Sequence, residues 1–216
     1  MKETFVVEWD KQYTSLKPIK LEYSSIEGQR LILEPLELSH RNELCELIDP
    51  KIWLWYTIPI YNSEDMDSYI KRHLADQESG SGLTYVVRLK DTDKIVGSSR
   101  FCNIDKANKR VEIGSTWYSP KWQRTFVNTE CKLVMLTYAF EHLGCICVQF
   151  QTDSLNEKSR AAIQRIGAKP DGILRNHRIC HDGRIRHSAF YSITEAEWPK
   201  VKQHIANLLS YPILQS

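Results

Sequence analysis

The chain has 216 residues, of which 42% are hydrophobic and 26% charged, with a formal net charge of +2. That length suits one domain with a sizeable core, and the small charge, with no basic run and no basic–aromatic interleaving, argues against nucleic-acid binding. No apolar run approaches the roughly 18 residues of a membrane span, and no apolar signal core follows Met1-Lys2-Glu3-Thr4, so the expected location is the cytoplasm.

Residues 1–28 read as an N-terminal arm, in which Phe5-Val6-Val7 and Ile19-Lys20-Leu21 are short strands or surface-packing segments. Arg30 to Leu36 alternates and reads as the first core strand. Ser39 is placed to cap a helix reaching about Ile48, with Leu44 and Leu47 inward. Trp53, Trp55 and Tyr56 then crowd a loop bounded by Pro50 and Pro59. This loop is either a hydrophobic plug over the core or one wall of a substrate pocket. Ser63 is placed to cap a second helix over 64–77, closed by Gly80 and Gly82. Strands are expected over 83–90, 95–104 and 110–118, joined by turns at 91–94 and 105–109 as an antiparallel meander.

A polar loop over 119–127 follows, opened by Pro120. Asn128 reads as the N-cap of a helix running from about Thr129 to His142, which Gly144 stops. A strand feeding a loop onto a helix N-terminus is anion-binding geometry, because free backbone N–H groups and the positive helix end converge. Gln123, Arg124, Thr125, Asn128 and Thr129 add hydrogen-bonding groups there. The loop is either a phosphate site or an ordinary polar connection. A strand over 146–152 and a helix over 156–166 come next. Strands over 168–175 and 184–193 flank an Asp182-Gly183 turn. Thr194 with Glu197 reads as a capping box for a last helix reaching about Leu209.

The expected fold is α/β: a mixed, mostly antiparallel sheet with one parallel crossover, from 110 to 152, flanked by helices. The expected division is an arm (1–28), a main domain (29–200), and a C-terminal helix and tail (201–216). The six cysteines form no CxxC pair and sit mostly in apolar segments, as reduced core residues do. Cys145-x-Cys147 with His142 is too little for a metal site.

Five stretches carry a resemblance: IVGSSRF at 95–101, RVEIGSTW at 110–117, WQRTFVNTECKLVMLTYAFEHLG at 122–144, TDSLNEKSRAAIQRIGA at 152–168 and GILR at 172–175. In this order and spacing they resemble the GNAT superfamily of acyl-CoA N-acyltransferases. The likeness is closest to the ribosomal-protein N-acetyltransferase (RimJ/RimL-like) branch, and it spans roughly residues 28–200. The resemblance implies a sheet splayed at its parallel pair, acetyl-CoA as co-substrate and no metal. It implies an amine acceptor, either a protein N-terminal α-amine or a small-molecule amine, and a monomer or homodimer. The alternative is a non-catalytic acyl-CoA-binding or protein-interaction module.

The family's pyrophosphate loop, Gln/Arg-x-x-Gly-x-Gly/Ala, falls on Gln123 to Asn128. Gln123 fits, Phe126 replaces the first glycine, and Asn128 replaces the second small residue. The N–H groups of Arg124, Thr125, Val127, Asn128 and Thr129 remain able to donate. The resemblance further implies that the Ser115–Tyr118 backbone pairs with the pantetheine arm, and that an N–H of Trp117 or Tyr118 meets the oxyanion. Asn156 and Ser159 match an Asn-x-x-Ser that approaches the thiol. Glu112 stands where the family carries its base; the other reading is a paired residue at a strand edge. The tyrosine that often serves as acid is Ile163 here, which leaves Ser159 as proton donor or water orienter, or a thiolate leaving with little help. Trp53, Trp55, Tyr56, Arg100 and His177, with Arg178, are assigned to the acceptor side.

Overall fold

The computed structural model describes Ile19 and residues 22–210. Its sheet has eight strands: β1 (Ile26–Glu27), β2 (Leu31–Pro35), β3 (Leu83–Leu89), β4 (Ile95–Asp105), β5 (Arg110–Tyr118), β6 (Cys147–Asp153), β7 (Lys169–Ile179) and β8 (Ile185–Thr194). They lie in the order β1-β2-β3-β4-β5-β6-β8-β7. Every neighbouring pair is antiparallel except β5 with β6, the one parallel crossover expected. The helices are α1 (Arg41–Cys45), α2 (Ser63–Glu78), α3 (Phe126–Thr137), α4 (Glu157–Arg165) and α5 (Trp198–Ser210).

The central strands read as nearly continuous apolar runs because both faces are covered. One face packs Tyr85, Phe101, Val111, Ile113 and Tyr118 under α3 and α5, with Val127, Cys131 and Ile205. The other packs Val86, Ile95 and Trp117 under α1, α2 and the aromatic turn, with Leu44, Trp53, Met66 and Ile70.

The feature that positions the site is a divergence. β5 pairs with β6 only at Arg110↔Cys147, Val111↔Val148 and Glu112↔Gln149. Beyond Glu112, β5 stays with β4 while β6 follows β8 as far as Asp153↔Ser188. A bulge sharpens the split: Ser115 and Thr116 together oppose Ser99, and Ser115 takes φ 46°. An extra residue on one strand bends it and raises its twist.

Several element ends differ from expectation, the first two because a neighbouring polar residue takes the cap. Thr125, not Asn128, caps α3, accepting from Val127 N at 3.3 Å. Asn62, not Ser63, caps α2, accepting from Asp65 N at 2.8 Å. A single 3-10 turn, Leu38–His40, takes the place where Ser39 was to cap a long helix, and α1 that follows is five residues. α3 ends at Thr137 and continues as a π-helical turn over Tyr138–His142. Thr194 N–H and Oγ1 both donate to Glu197 Oε2, yet α5 starts only at Trp198. β7 runs on to Ile179. Within the expected arm, Ile26–Glu27 forms β1 and Ile19 is buried. Phe5-Val6-Val7, Lys20-Leu21 and residues 211–216 lie outside the described residues.

Candidate active site

The strand registers put one set of side chains on a single sheet face. On it, Ser98, Arg100 and Cys102 of β4 lie opposite Trp117, Gly114 and Glu112 of β5. Glu112 lies beside Gln149, Asp153 of β6 opposite Ser188 of β8, and Arg186 opposite Arg178. The split between β5 and β6 opens next to Glu112.

Glu112 is 8% exposed. Asn103 Nδ2 donates to its Oε2 at 2.7 Å. Asn103 can reach it because it sits at φ 48° where the β4–β5 register breaks. The other oxygen, Oε1, would lie 3.0 Å from a Cβ at residue 114, so glycine there leaves the carboxylate its room. One oxygen is fixed by a donor and the other is left to act, which is the arrangement a general base needs.

The aromatic stretch divides by burial. Trp53 is 1% exposed, with ring centroids 5.2 Å from Trp117 and 5.0 Å from Tyr56; it is the plug. Trp55 and Tyr56 are half-buried. Tyr56 OH donates to Thr116 O at 2.5 Å, on the bulge itself. The Trp55 ring stands 5.9 Å from the Arg184 guanidinium. Arg100 belongs to the fold. Its Nη2 donates to Asp76 Oδ2 at 2.8 Å and its Nη1 to His73 Nδ1 at 3.2 Å, tying α2 to β4. Burial, then Arg100, push the His73 imidazole down to about 3. It is therefore neutral, with Nδ1 accepting from Arg100 and from Thr84 Oγ1 at 2.8 Å. His177 does lie on the Glu112 face, with Nδ1 3.0 Å from Ser188 Oγ and 3.2 Å from Gln151 Nε2.

At the rim of the split, Ser119 N–H donates to Val96 O at 2.9 Å. Antiparallel ladders alternate, so the N–H and C=O of Tyr118 turn away from β4 toward the split, and those of Trp117 turn toward β4. Gln123 Nε2 donates to the Tyr118 carbonyl at 3.2 Å, which leaves the Tyr118 N–H. The Tyr118 phenol is buried on the α3 side, and burial pushes its pKa well above the usual value.

The loop meets its need for a left-handed residue at Arg124, φ 61°. Phe126 is the first residue of α3. Its ring packs beneath the Arg30 guanidinium, 3.8 Å away, and edge-on to Trp122 at 6.4 Å. The phenylalanine therefore packs its ring against Arg30 and Trp122 and keeps a helical backbone. Val127 N–H is taken by Thr125 Oγ1, whose own proton goes to Trp122 O at 2.8 Å. The N–H groups of Phe126 and Asn128 complete the open first turn. Thr129 faces elsewhere: it is 2% exposed and Oγ1 accepts from Arg165 Nη2 at 2.7 Å. Asn156 caps α4, accepting from Ser159 N at 3.1 Å, and Ser159 is half-buried.

Three residues near the site escape a sequence reading. Glu130 is buried and accepts from Arg30 N (2.6 Å), Leu31 N (3.2 Å) and Arg30 Nε (2.8 Å), fixing β2 to α3. Lys132 is buried beneath the bulge. Arg186 is buried on the Glu112 face, in a strand whose register no local pattern gives. Among the described residues no group of three or more His, Cys, Asp or Glu is placed to hold a metal ion, and no helix is long and apolar enough to cross a membrane.

Residues 30–169 match the acetyltransferase (GNAT) domain family. A GCN5-related N-acetyltransferase from Brucella melitensis is 28% identical, with a TM-score of 0.83 and 90% of each chain covered. The uncharacterized N-acetyltransferase p20 of Bacillus licheniformis is 23% identical over 172 residues, 79% of this chain and 96% of that one. Mycobacterium smegmatis RimJ, solved in complex with CoA-disulfide, shares the fold at 18% identity, with a TM-score of 0.73 and coverage of 86% and 95%.

Proposed function

The chain belongs to the acetyltransferase (GNAT) domain family, and on that premise we propose that it transfers an acetyl group from acetyl-CoA to a primary amine, with Glu112 as base. The observation that carries the proposal is the parting of β5 from β6 just beyond Glu112. It sets a carboxylate with one free oxygen, a rim N–H from Tyr118 and the open first turn of α3 around one crevice.

Each residue then has a role. The N–H groups of Phe126 and Asn128, with Arg124, receive the pyrophosphate at the positive end of α3. The β5 edge from Ser115 to Tyr118 pairs with the amides of the pantetheine arm as an added strand would. Glu112 Oε1 removes a proton from the acceptor amine, directly or through a water, because a protonated amine has no lone pair to attack with. The Tyr118 N–H meets the charge that develops on the carbonyl oxygen. Ser159, one turn into α4, returns a proton toward the sulfur or orients a water that does. A thiol is acidic enough that this last step asks little.

The acceptor lies on the Glu112 face, between Tyr56 with Trp55 and the β7–β8 hairpin. The RimJ/RimL-like resemblance favours a protein N-terminal α-amine over a small-molecule amine. All six cysteines are free, which suits a reducing cytoplasm. The non-catalytic alternative draws on Phe126 and Ile163, and Phe126 supports it less because it keeps a helical backbone with its ring against Arg30 and Trp122.

Titration calorimetry with acetyl-CoA and CoA, followed by thiol-release assays with peptide acceptors, tests the reading. Binding is expected in the micromolar range, on the order of −8 kcal/mol. Glu112→Gln is expected to keep that binding and to lose about a hundredfold or more in turnover. A Gln variant turning over at the wild-type rate removes Glu112 as base. Absence of binding at millimolar acetyl-CoA ends the enzyme reading.

A further inference from the structure

The β7–β8 hairpin sets Arg178 directly opposite Arg186. Like charges facing each other in a ladder repel. Arg186 is 9% exposed, and its one hydrogen bond is from Nε to Ser188 Oγ at 3.1 Å. Its two terminal nitrogens have no hydrogen-bond partner among the described residues. Asp153, the carboxylate whose charge reaches it, is already engaged. Arg184 holds that carboxylate at 2.7 Å and Leu155 N–H donates to it at 2.9 Å. Arg184 thus already holds the carboxylate nearest to Arg186. The terminal nitrogens of Arg186 are not sealed from solvent, and a guanidinium set this deep with no carboxylate of its own gains from an arriving counter-charge.

The position of the surplus charge points to what brings it. His177 ties the hairpin to the Glu112 face: its Nδ1 lies 3.0 Å from Ser188 Oγ, which also accepts from Arg186 Nε, and 3.2 Å from Gln151 Nε2, two residues along β6 from the Gln149 that sits beside Glu112. The cations are therefore on the acceptor side of the proposed base, across from Trp55 and Tyr56. This end of the hairpin is open to solvent: Arg178 is exposed, and Ile179 and Ile185 are 75% and 56% exposed. That end admits a continuing chain rather than enclosing a small molecule. Guanidinium forks suit carboxylates in particular.

We propose that Arg186 and Arg178 form an anion subsite on the Glu112 face, beside the acceptor, and that the acceptor is a peptide N-terminus followed closely by acidic residues. This rests on the acetyl-transfer reading for the position of the amine, but not for the existence of the subsite.

The test uses two hexapeptide amides in the presence of CoA. One has N-terminal alanine followed by aspartate and glutamate; the other is its isostere with asparagine and glutamine. Binding is read by calorimetry and, separately, acetylation with acetyl-CoA. At low salt the acidic peptide is expected to bind about tenfold tighter, with the preference shrinking as salt rises. Arg186→Gln and Arg178→Gln are each expected to reduce the preference to about twofold or less, with CoA affinity unchanged. Should Arg186→Gln fail to fold, the exposed Arg178 carries the test. Equal binding of the two peptides, or a preference that survives in the variants, overturns the proposal. An acidic peptide that binds selectively but is never acetylated leaves the subsite standing and sinks the transfer reading. Equal acetylation of both peptides with equal binding does the reverse.

Discussion

Lys132 of α3 donates to Thr116 Oγ1 at 2.6 Å, directly beneath the bulge in β5. It also donates to Ser99 Oγ at 3.1 Å, and those two hydroxyls lie 2.7 Å apart. Burial, with no carboxylate to offset it, holds the ammonium down at about 8. In an unfolded chain it would titrate near pH ~10.4. Between those values the unfolded state binds more protons than the native state, so this group makes stability rise with pH; below pH ~8 both states are protonated and the penalty is complete. Lys132→Met keeps the length and removes the charge, while Ser99 and Thr116 keep each other. The variant is expected to be more stable than wild type at pH 7 by about 1–3 kcal/mol, with the gap closing toward pH 10. Urea unfolding of both proteins at pH 7 and pH 9.5 measures this. A less stable variant at pH 7 would mean that the two hydroxyls more than repay the desolvation.

Thr116 is held from the opposite side as well, since Tyr56 OH donates to its carbonyl. Lys132 and Tyr56 together pin the bulge that shapes the crevice rim. Tyr56→Phe keeps the ring against Trp53 and leaves that carbonyl to water. The expected cost is about 1 kcal/mol of stability, with a several-fold rise in KM for acetyl-CoA and a smaller change in kcat. An effect on kcat alone would place the phenol at the reacting atoms instead of under the cofactor arm.

The unit from β5 through α3 to β6 was legible in the sequence because Pro120 and Gly144 punctuate it and the apolar spacing changes between them. The fold class followed from that unit and from the hairpin turns. What could not be read depends on partners distant in the chain. Arg100 looks like a free basic residue until Asp76, 24 positions earlier, comes to meet it. Lys132 sits in a helical pattern where a lysine ordinarily marks the solvent face, and only the bulge explains its burial. The Asp182-Gly183 turn located the last hairpin. It did not show that Asn176, at φ 52°, breaks the alternation and so decides which face His177 and Arg178 take.

Phe126 offers a prediction opposite in sign to the one its place in the loop invites. A glycine there would restore the first of the two small residues in the family's pattern, and on sequence alone it tightens CoA binding if the phenylalanine weakens the loop. The ring, however, lies under Arg30 and against Trp122, and Arg30 also pairs with buried Glu130 at 2.8 Å. Phe126→Gly removes that packing and puts a poor helix former in the first turn of α3. The expected loss is about 1–3 kcal/mol of stability, with CoA affinity unchanged or weaker. Tighter binding in calorimetry would show that the ring obstructs the phosphate after all.

Gly97 tests how firmly β4 and β5 must stay together. A Cβ there would lie 2.1 Å from Trp117 O, 2.6 Å from Tyr118 Cδ1 and 2.8 Å from Tyr118 Cα. Two of those three atoms are backbone, so no rotamer change relieves the clash; β5 itself must move away from β4. The segment that would move runs from the bulge to Tyr118, the rim of the crevice. Gly97→Ala is therefore expected to cost about 3 kcal/mol or more, a large share of the stability of a domain this size. It is also expected to weaken acetyl-CoA binding at temperatures where the variant is still folded, because the Tyr118 N–H shifts with its strand. Thermal melts and calorimetry on the same preparation separate the two effects. A variant within about 0.5 kcal/mol of wild type would show that the two strands part without cost, and that the rim is held by the contacts of Thr116 alone.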